Sequence, residues 1–403
     1  MVEQLKLSNI HEIFSYKIEP KIALGMIVKN EEKVIVKTII HAISAVDCVY
    51  IYDTGSNDKT LELVDNISKE YPDKPFYIKH GKFVNFEVTR NELLDWIEES
   101  VDLDYILLLD ANDEFHGCEE LKQFASSKLH TKDEDDGGFY IQQRWLYGEV
   151  VDKYYNIFLI RPTCGWRYKG VVHEFISPPR LDTAKIPIRC PDTIYIYQNR
   201  NENCEQSFIR YNRDKEMLLS ELEKNPDDPR TLFYMGQTCD CLNLYNEAFY
   251  YYTRRISILD KGLAEEVYHA KYRMGNICIR LNKSHEEVIK YYMDAYEFWN
   301  RVEPLLRLCE YFLFVRKQPR VAYGYACMAL FTPFPHEALL FVSETDYHYR
   351  RYNRFMCAAF EVGDYIRAYD IGKQMIDMNI AENSDKENMV KIKDKLDAFE
   401  KTC

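Results

Sequence analysis

Apolar residues follow two different periods along this chain. Up to about residue 200 they come in short, nearly continuous runs bounded by polar clusters: IALGMIV at 22–28, CVYIY at 48–52 and YILLL at 105–109. Runs of that length read as strands buried on both faces. Between them, residues 31–44, 60–70 and 89–99 carry helical periodicity. Strand, helix, strand in that order predicts an α/β unit, a mostly parallel sheet with helices on both faces. From Gly138 the pattern becomes strand-rich, in GFYIQQRWLYG, YNIFLIRP and TIYIYQNR.

Beyond about Ser207 the strand pattern stops, and an all-α segment that repeats itself begins. Tyr234-Met-Gly236 recurs as Tyr272-Arg-Met-Gly275, each followed by small and aromatic residues at helical spacing: Ala248 with Tyr252, and Tyr292 with Ala295. A third unit runs over 304–330, and a fourth from Phe355 through Gly363-Asp-Tyr365 to Ala368. Small residues let paired helices approach and aromatics fill the grooves between hairpins, the logic of a helical solenoid. The repeats resemble tetratricopeptide units, with a spacing longer than their ~34 residues. The polar stretch NRNENCEQS at 199–207 places the boundary, giving domains 1–203 and 204–403, and Asn225-Pro-Asp-Asp-Pro229 opens the first clear hairpin.

At 403 residues the chain is too long for one ordinary core, which agrees with two domains. A net charge of −13 excludes a nucleic-acid backbone or an anionic membrane as the main partner, since either needs a basic footprint. No basic segment leads into a long apolar one at the N-terminus, and no apolar run approaches the ~20 residues of a spanning helix. A cytoplasmic protein without membrane insertion is the expectation. The 12 cysteines are scattered, and the nearest pair, Cys239 and Cys241, falls in a helical pattern. Reduced thiols are expected rather than a cysteine zinc site.

Three polar clusters follow the three clearest strands: Lys29-Asn30-Glu31-Glu32, Asp53-Thr54-Gly55-Ser56-Asn57-Asp58, and Asp110-Ala111-Asn112-Asp113-Glu114. In a parallel sheet, ligands bind at the carboxyl ends of the strands, so the clusters are expected in one cleft. Asp110, with Asn112 and Asp113 just beyond, makes a partial cage for a hard cation, Mn²⁺ or Mg²⁺, shared with phosphate oxygens. Such a cation neutralises charge on a departing diphosphate. Asp53 is placed to accept from a base N–H or a ribose hydroxyl, and Arg90-Asn91 to reach the phosphates.

The segments VKNEE, DTGSNDKT, TRN and LLLDAND, in this order and spacing, resemble family 2 glycosyltransferases of the GT-A fold. Gly170-Val-Val-His173-Glu174, shortly after Trp166-Arg167, is similar to a segment of a subgroup with C-terminal tetratricopeptide-like repeats, as is Arg301-Val-Glu-Pro-Leu305. The resemblance spans about residues 20–380. It implies a nucleotide-sugar donor, a UDP-sugar first among them, and a glycan or protein acceptor. It also implies inversion at the anomeric carbon. By it, Asp53 contacts the nucleobase or ribose, Asp110 begins the Asp-x-Asp metal motif, and His173 is the late metal or diphosphate ligand. The donor-binding set is then Val28, Asn30, Glu32, Asp53, Arg90, Asn91 and Ala111. The motif's second acid is here Asn112, so either its amide oxygen binds the metal or Asp113 replaces it.

Inversion needs one general base opposite the diphosphate. The candidates are Glu174, Asp113 and Glu149, with Glu174 preferred because it adjoins the metal cluster. Plainer roles stand beside these. Asp58 reads as a cap of the helix near Thr60, Glu31 and Glu32 as partners of a helix N-terminus, and most of the 32 tyrosines as solenoid packing. The repeats are expected to bind the acceptor, to join two copies as a homodimer, or both. A rival reading is an inactive domain serving with the repeats as a protein-binding scaffold, with Asn112 as the symptom. A nucleotidyltransferase would need a glycine-rich phosphate loop after the first strand, and VKNEE is not one.

Overall fold

The run IALGMIV forms the innermost strand of a parallel group in the computed structural model, which describes residues 19–100, 102–129, 137–147, 150–178, 188–199, 204–338 and 340–400. In chain order the first elements are β1 (Ile22–Val28), α1 (Ile35–Ala42), β2 (Cys48–Asp53), α2 (Thr60–Glu70), β3 (Phe76–His80), α3 (Phe86–Glu98) and β4 (Tyr105–Leu108). Strands β3, β2, β1 and β4 lie side by side in that order, all parallel. The polar clusters after β1, β2 and β4 thus emerge on one edge. Strand β3 has no counterpart among the strands read from the sequence. It is an edge strand with mostly exposed side chains, so it carries no continuous apolar run.

Next come β5 (Glu114–His116), α4 (Cys118–Lys128), β6 (Gly138–Tyr147), β7 (Val150–Ile160), β8 (Arg167–Lys169), β9 (Phe175–Ser177), β10 (Ile188–Arg189) and β11 (Tyr195–Asn199). The sheet continues from β4 through β7, β6 and β11 to β5, with β10 beside β6. Strand β7 runs antiparallel to β4, and β5 antiparallel to β11. Strands β8 and β9 form a separate antiparallel pair.

The alternation of β1 explains why both faces are covered. Ile22, Leu24, Met26 and Val28 join a core with Ile35 and Ile39 of α1 and Val64 of α2. Ala23 packs on the other face with Leu93, Leu94 and Ile97 of α3. Gly25 permits that approach: a Cβ there would stand 2.9 Å from Ile97 Cδ1. Helix α1 starts at Ile35, later than residue 31. Asn30 takes a left-handed φ of 58°, and its neighbours' N–H groups are drawn to the loop after β2.

The second half contains α5 (Cys204–Lys224), α6 (Pro229–Cys241), α7 (Tyr245–Ile256), α8 (Ala264–Arg280), α9 (His285–Phe298), α10 (Val302–Glu310), α11 (Pro319–Phe331), α12 (Arg351–Val362), α13 (Tyr365–Asp377) and α14 (Asn383–Glu400). Consecutive helices pack on one another. Their boundaries follow local chemistry. Asp228 caps α6, with Pro229 in the first turn, and Ser284 and Glu287 form a capping box on α9. The repeated glycines receive the tyrosines that follow them. A Cβ on Gly236 would stand 2.6 Å from the Tyr252 ring, and one on Gly275 2.7 Å from that of Tyr292. Contacts divide the chain into two compact units, Met1–Tyr147 with Tyr155–Arg200 and Gly148–Tyr154 with Asn201–Cys403. Among the described residues no helix is long and apolar enough to cross a membrane.

Candidate active site

The loops after β1 and β2 are laced together. Asn30 N donates to Ser56 Oγ (3.0 Å), and Asn57 N donates to Asn30 Oδ1 (2.8 Å). Glu31 N donates to Thr60 Oγ1 (2.7 Å), Glu32 N to Asp58 Oδ2 (3.2 Å) and Lys59 N to Glu32 Oε2 (3.1 Å). The Val28 carbonyl accepts from both Thr54 N and Thr54 Oγ1. The Glu32 carboxylate therefore ties the second loop at Lys59, the residue that caps α2. Asp58 does serve the first turn of α2, accepting from Thr60 N at 2.9 Å.

Asp53, at the end of β2, is buried. Its carboxylate accepts from Ser56 N (3.0 Å) and Gly55 N (3.2 Å) and meets His80 Nδ1 at 3.2 Å. Burial pushes its pKa up, but the hydrogen bonds from Ser56, His80 and Gly55 prevail and hold it below the usual carboxylate value. His80 belongs to β3, so the sequence pattern that hid that strand hid this residue too.

Past β4 the chain turns sharply through Asp110–Asp113. Asp113 faces inward and is fully buried, accepting from Asp110 N at 2.8 Å and from the Gln198 side chain. The carboxylate thereby braces the turn. Ala111 is buried, and its carbonyl accepts from Thr38 Oγ1 of α1 at 2.6 Å. Asn112 is exposed at the tip.

Asp110 meets the side chain that organises the site. Arg90 of α3 donates from one terminal nitrogen to Asp110 Oδ1 (2.6 Å) and from Nε to Glu174 Oε1 (2.7 Å). It thus brings the acid at the end of β4 together with the Gly170–Glu174 segment. The guanidinium also lies over the Tyr168 ring, 5.0 Å from its centroid. Burial lowers the Arg90 pKa, but the charges of Asp110 and Glu174 outweigh it, so the group stays charged. Asn91 exchanges two hydrogen bonds with the Tyr168 backbone, at 2.9 and 2.8 Å, and clamps β8 to α3. His173 is exposed and takes a left-handed φ of 50°. Few side chains other than Gly and Asn adopt that conformation without strain. Glu149 lies outside the described residues.

Glu31 is the acid that the sequence pattern undervalued. Its pKa is pushed up to about 7, first by burial and then by the negative charges of Asp110 and Asp58. Carboxylates from the ends of β1, β2 and β4 therefore repel one another across the cleft. An oxygen-rich set of that charge suits a hard divalent cation, and the donor set fits the metal that the sequence implies.

A family model described as glycosyl transferase family 2 matches residues 24–159. No curated protein matches the chain. Among solved structures, the crystal structure of MamA is similar at a TM-score of 0.34 and 15% identity, over 46% of this chain and 95% of that one. BtubC (BKLC) from P. vanneervenii is similar at 0.36 and 15%, over 50% and 87%. The S. aureus TarS 1-349 structure is similar at 0.30 and 15%, over 85% and 92%. These likenesses are weak, and the fold rests on the elements themselves. Residues 24–159 thus match the family 2 glycosyltransferase model, and helical hairpins follow them from Cys204 onward.

Proposed function

We propose that the first half transfers a sugar from a nucleotide diphosphate donor, a UDP-sugar foremost, to a hydroxyl of a glycan or protein. Inversion at the anomeric carbon and a Mn²⁺ or Mg²⁺ ion belong to the same reading. The observation that carries it is the Arg90 bridge between Asp110 and Glu174, at the edge where parallel sheets bind ligands. Asp110 and the Asn112 amide oxygen would hold the cation, with His173 as a further ligand. When bound, the cation neutralises charge on the departing diphosphate. Val28, Asn30, Glu32, Asp53 and Ala111 form the bed for the nucleoside, and Arg90 exchanges a carboxylate contact for a phosphate oxygen when the donor enters. The acceptor oxygen attacks the anomeric carbon as the bond to the diphosphate breaks. The bonding pair leaves with the diphosphate, and the acceptor's proton passes to Glu174.

A panel of nucleotide-sugars, tested for hydrolysis and thermal stabilisation with and without Mn²⁺, tests the reading. Metal-dependent turnover of a UDP-sugar supports it and removes the inactive-scaffold alternative. Full activity in a strong chelator sinks the metal part.

The helical half is assigned to acceptor binding, to self-association as a homodimer, or both, since curved repeat surfaces commonly hold extended partners. A folded chain ending near Asn203 should keep donor hydrolysis and lose transfer rate. Equal transfer and an unchanged oligomeric state in that chain would refute the assignment.

A further inference from the structure

Glu114 and His116 have no part in the donor site. They flank Phe115 on β5, and Phe115 is buried in the core. With the two-residue period of a strand, the two polar side chains share the opposite face. His41 lies in the last turn of α1, one turn after Lys37, so the two share a helix face. Lys37 donates to Glu114, which places that face against β5. One ligand atom from each of His41, Glu114 and His116 lies within 4.8 Å of the other two, and all three residues are half-buried. The two imidazoles meet edge-on, with centroids 5.4 Å apart.

We propose that His41, Glu114 and His116 form a second metal site, for a zinc-class transition cation, separate from the donor's cation. Two imidazoles and one carboxylate are a common three-ligand set for zinc and leave a fourth position for water. Around zinc such donors sit at about 2.0–2.2 Å, hence roughly 3.3 Å from one another. Closing from a 4.8 Å cluster takes side-chain rotations rather than backbone movement. Lys37 must leave Glu114, and its side chain is already 58% exposed, so it can turn into water.

The balance of ligand types separates the two sites. Two imidazoles with one carboxylate favour zinc, copper or nickel, whereas a set dominated by oxygen around Asp110, with His173 as its single imidazole, favours magnesium or manganese. The second site is also supported from behind. The His116 ring stacks on Tyr195 at 4.6 Å, and the His41 carbonyl accepts from Cys118 Sγ at 3.1 Å. Thr38, on the turn before His41, donates to the Ala111 carbonyl at 2.6 Å. A cation bound here clips α1 to the strand that leaves the Asp110–Asp113 turn, and so steadies that turn without touching the donor.

The test uses the full chain, stripped with a chelator, returned to buffer and loaded with zinc alone. One zinc per chain should be retained in the presence of excess Mn²⁺. X-ray absorption should show imidazole scattering, and zinc should raise Tm. His41→Gln and His116→Gln should each remove the retained zinc and the rise in Tm, while Asp110→Ala should keep both. The proposal is overturned if the wild-type chain retains no zinc, if its absorption spectrum lacks imidazole, or if the histidine variants bind zinc unchanged. The wild-type spectrum decides the question even should a variant fail to fold. None of these readouts involves sugar transfer, so a failed donor reading would leave the result intact.

Discussion

Buried arginines occur in both halves of the chain, and their surroundings differ. In the helical half, Arg301 and Glu303 are both enclosed, as are Arg255 and Glu266. Remaining guanidinium N–H groups go to the carbonyls of Leu340 and Phe341, and of Ile258 and Leu263. In the first half Arg90 is buried too, its side chain 10% exposed, but its partner Asp110 is 46% exposed. Glu31 has its pKa pushed up to about 7, first by burial and then by the negative charges of Asp110 and Asp58. One arrangement is charge-matched and closed to water. The other carries excess negative charge at an open cleft, which a bound cation would complete. Burial with matched partners marks a scaffold, and burial with a mismatch marks a candidate site.

The largest effect expected from this contrast is on turnover. Asp110→Ala should lower donor hydrolysis by roughly 10²–10³-fold, the scale of losing a key electrostatic stabiliser, with little change in Tm. Wild-type turnover in that variant would remove Asp110 from the site. Next comes Arg301→Met, which strands Glu303 inside the solenoid and should cost about 3–5 kcal/mol, read by urea unfolding. The double variant Arg301→Met with Glu303→Leu should recover much of that stability. If the single variant is neutral, the closed half of the comparison fails.

Asp113→Ala should cost about 1–3 kcal/mol, because it leaves Gln198 and the Asp110 N–H without their acceptor. Its loss of turnover should be milder than that of Asp110→Ala, and Asn112→Asp should be tolerated. A reversed ranking would return the metal site to Asp113. Gly275→Ala drives a methyl against the Tyr292 ring and should destabilise by about 1–3 kcal/mol, with relief when Tyr292 is also shortened to Leu. Thermal melts of the single and double variants check this.

What was legible in the sequence follows from what each residue does with its neighbours. β1 and β2 were visible because both faces are buried, and so was the recurrence of Gly236 and Gly275, because each glycine receives an aromatic one helix later. β3 was invisible because an edge strand with exposed side chains has no apolar signature, and His80 went with it. The polar cluster after β4 marked Asp110 as a candidate, and the Gly170–Glu174 segment marked Glu174, but neither showed Arg90 as the bridge between them. At Asp113 and Asn91 the sequence showed the residue and not its backbone partners. A carboxylate or amide next to a motif looks alike on paper whether it faces a ligand or braces the backbone, and only the three-dimensional partner tells the two apart.

The smallest expected effect is the most direct test of the open half. The Glu31 carboxyl has a pKa of about 7 in the folded chain against 4.5 as its ordinary value. A raised folded pKa contributes stability that is fully present below about pH 4.5 and is lost as the pH rises through 7. In metal-stripped protein, Glu31→Gln removes the ionised form and should abolish that loss. The variant and the wild type should therefore melt alike near pH 4.5, and the variant should melt at the higher temperature by pH 8. Carboxylates remote from Glu31 titrate equally in both proteins and cancel in the difference, and the change at Asp110 and Asp58 is part of the same coupling. Mn²⁺ should narrow the gap at pH 8, because a cation among these carboxylates relieves the repulsion that Asp110 and Asp58 impose. A difference in Tm that stays flat from pH 4.5 to 8 would mean that Glu31 is not crowded. The contrast between a matched and an unmatched set of buried charges would then lose its clearest member.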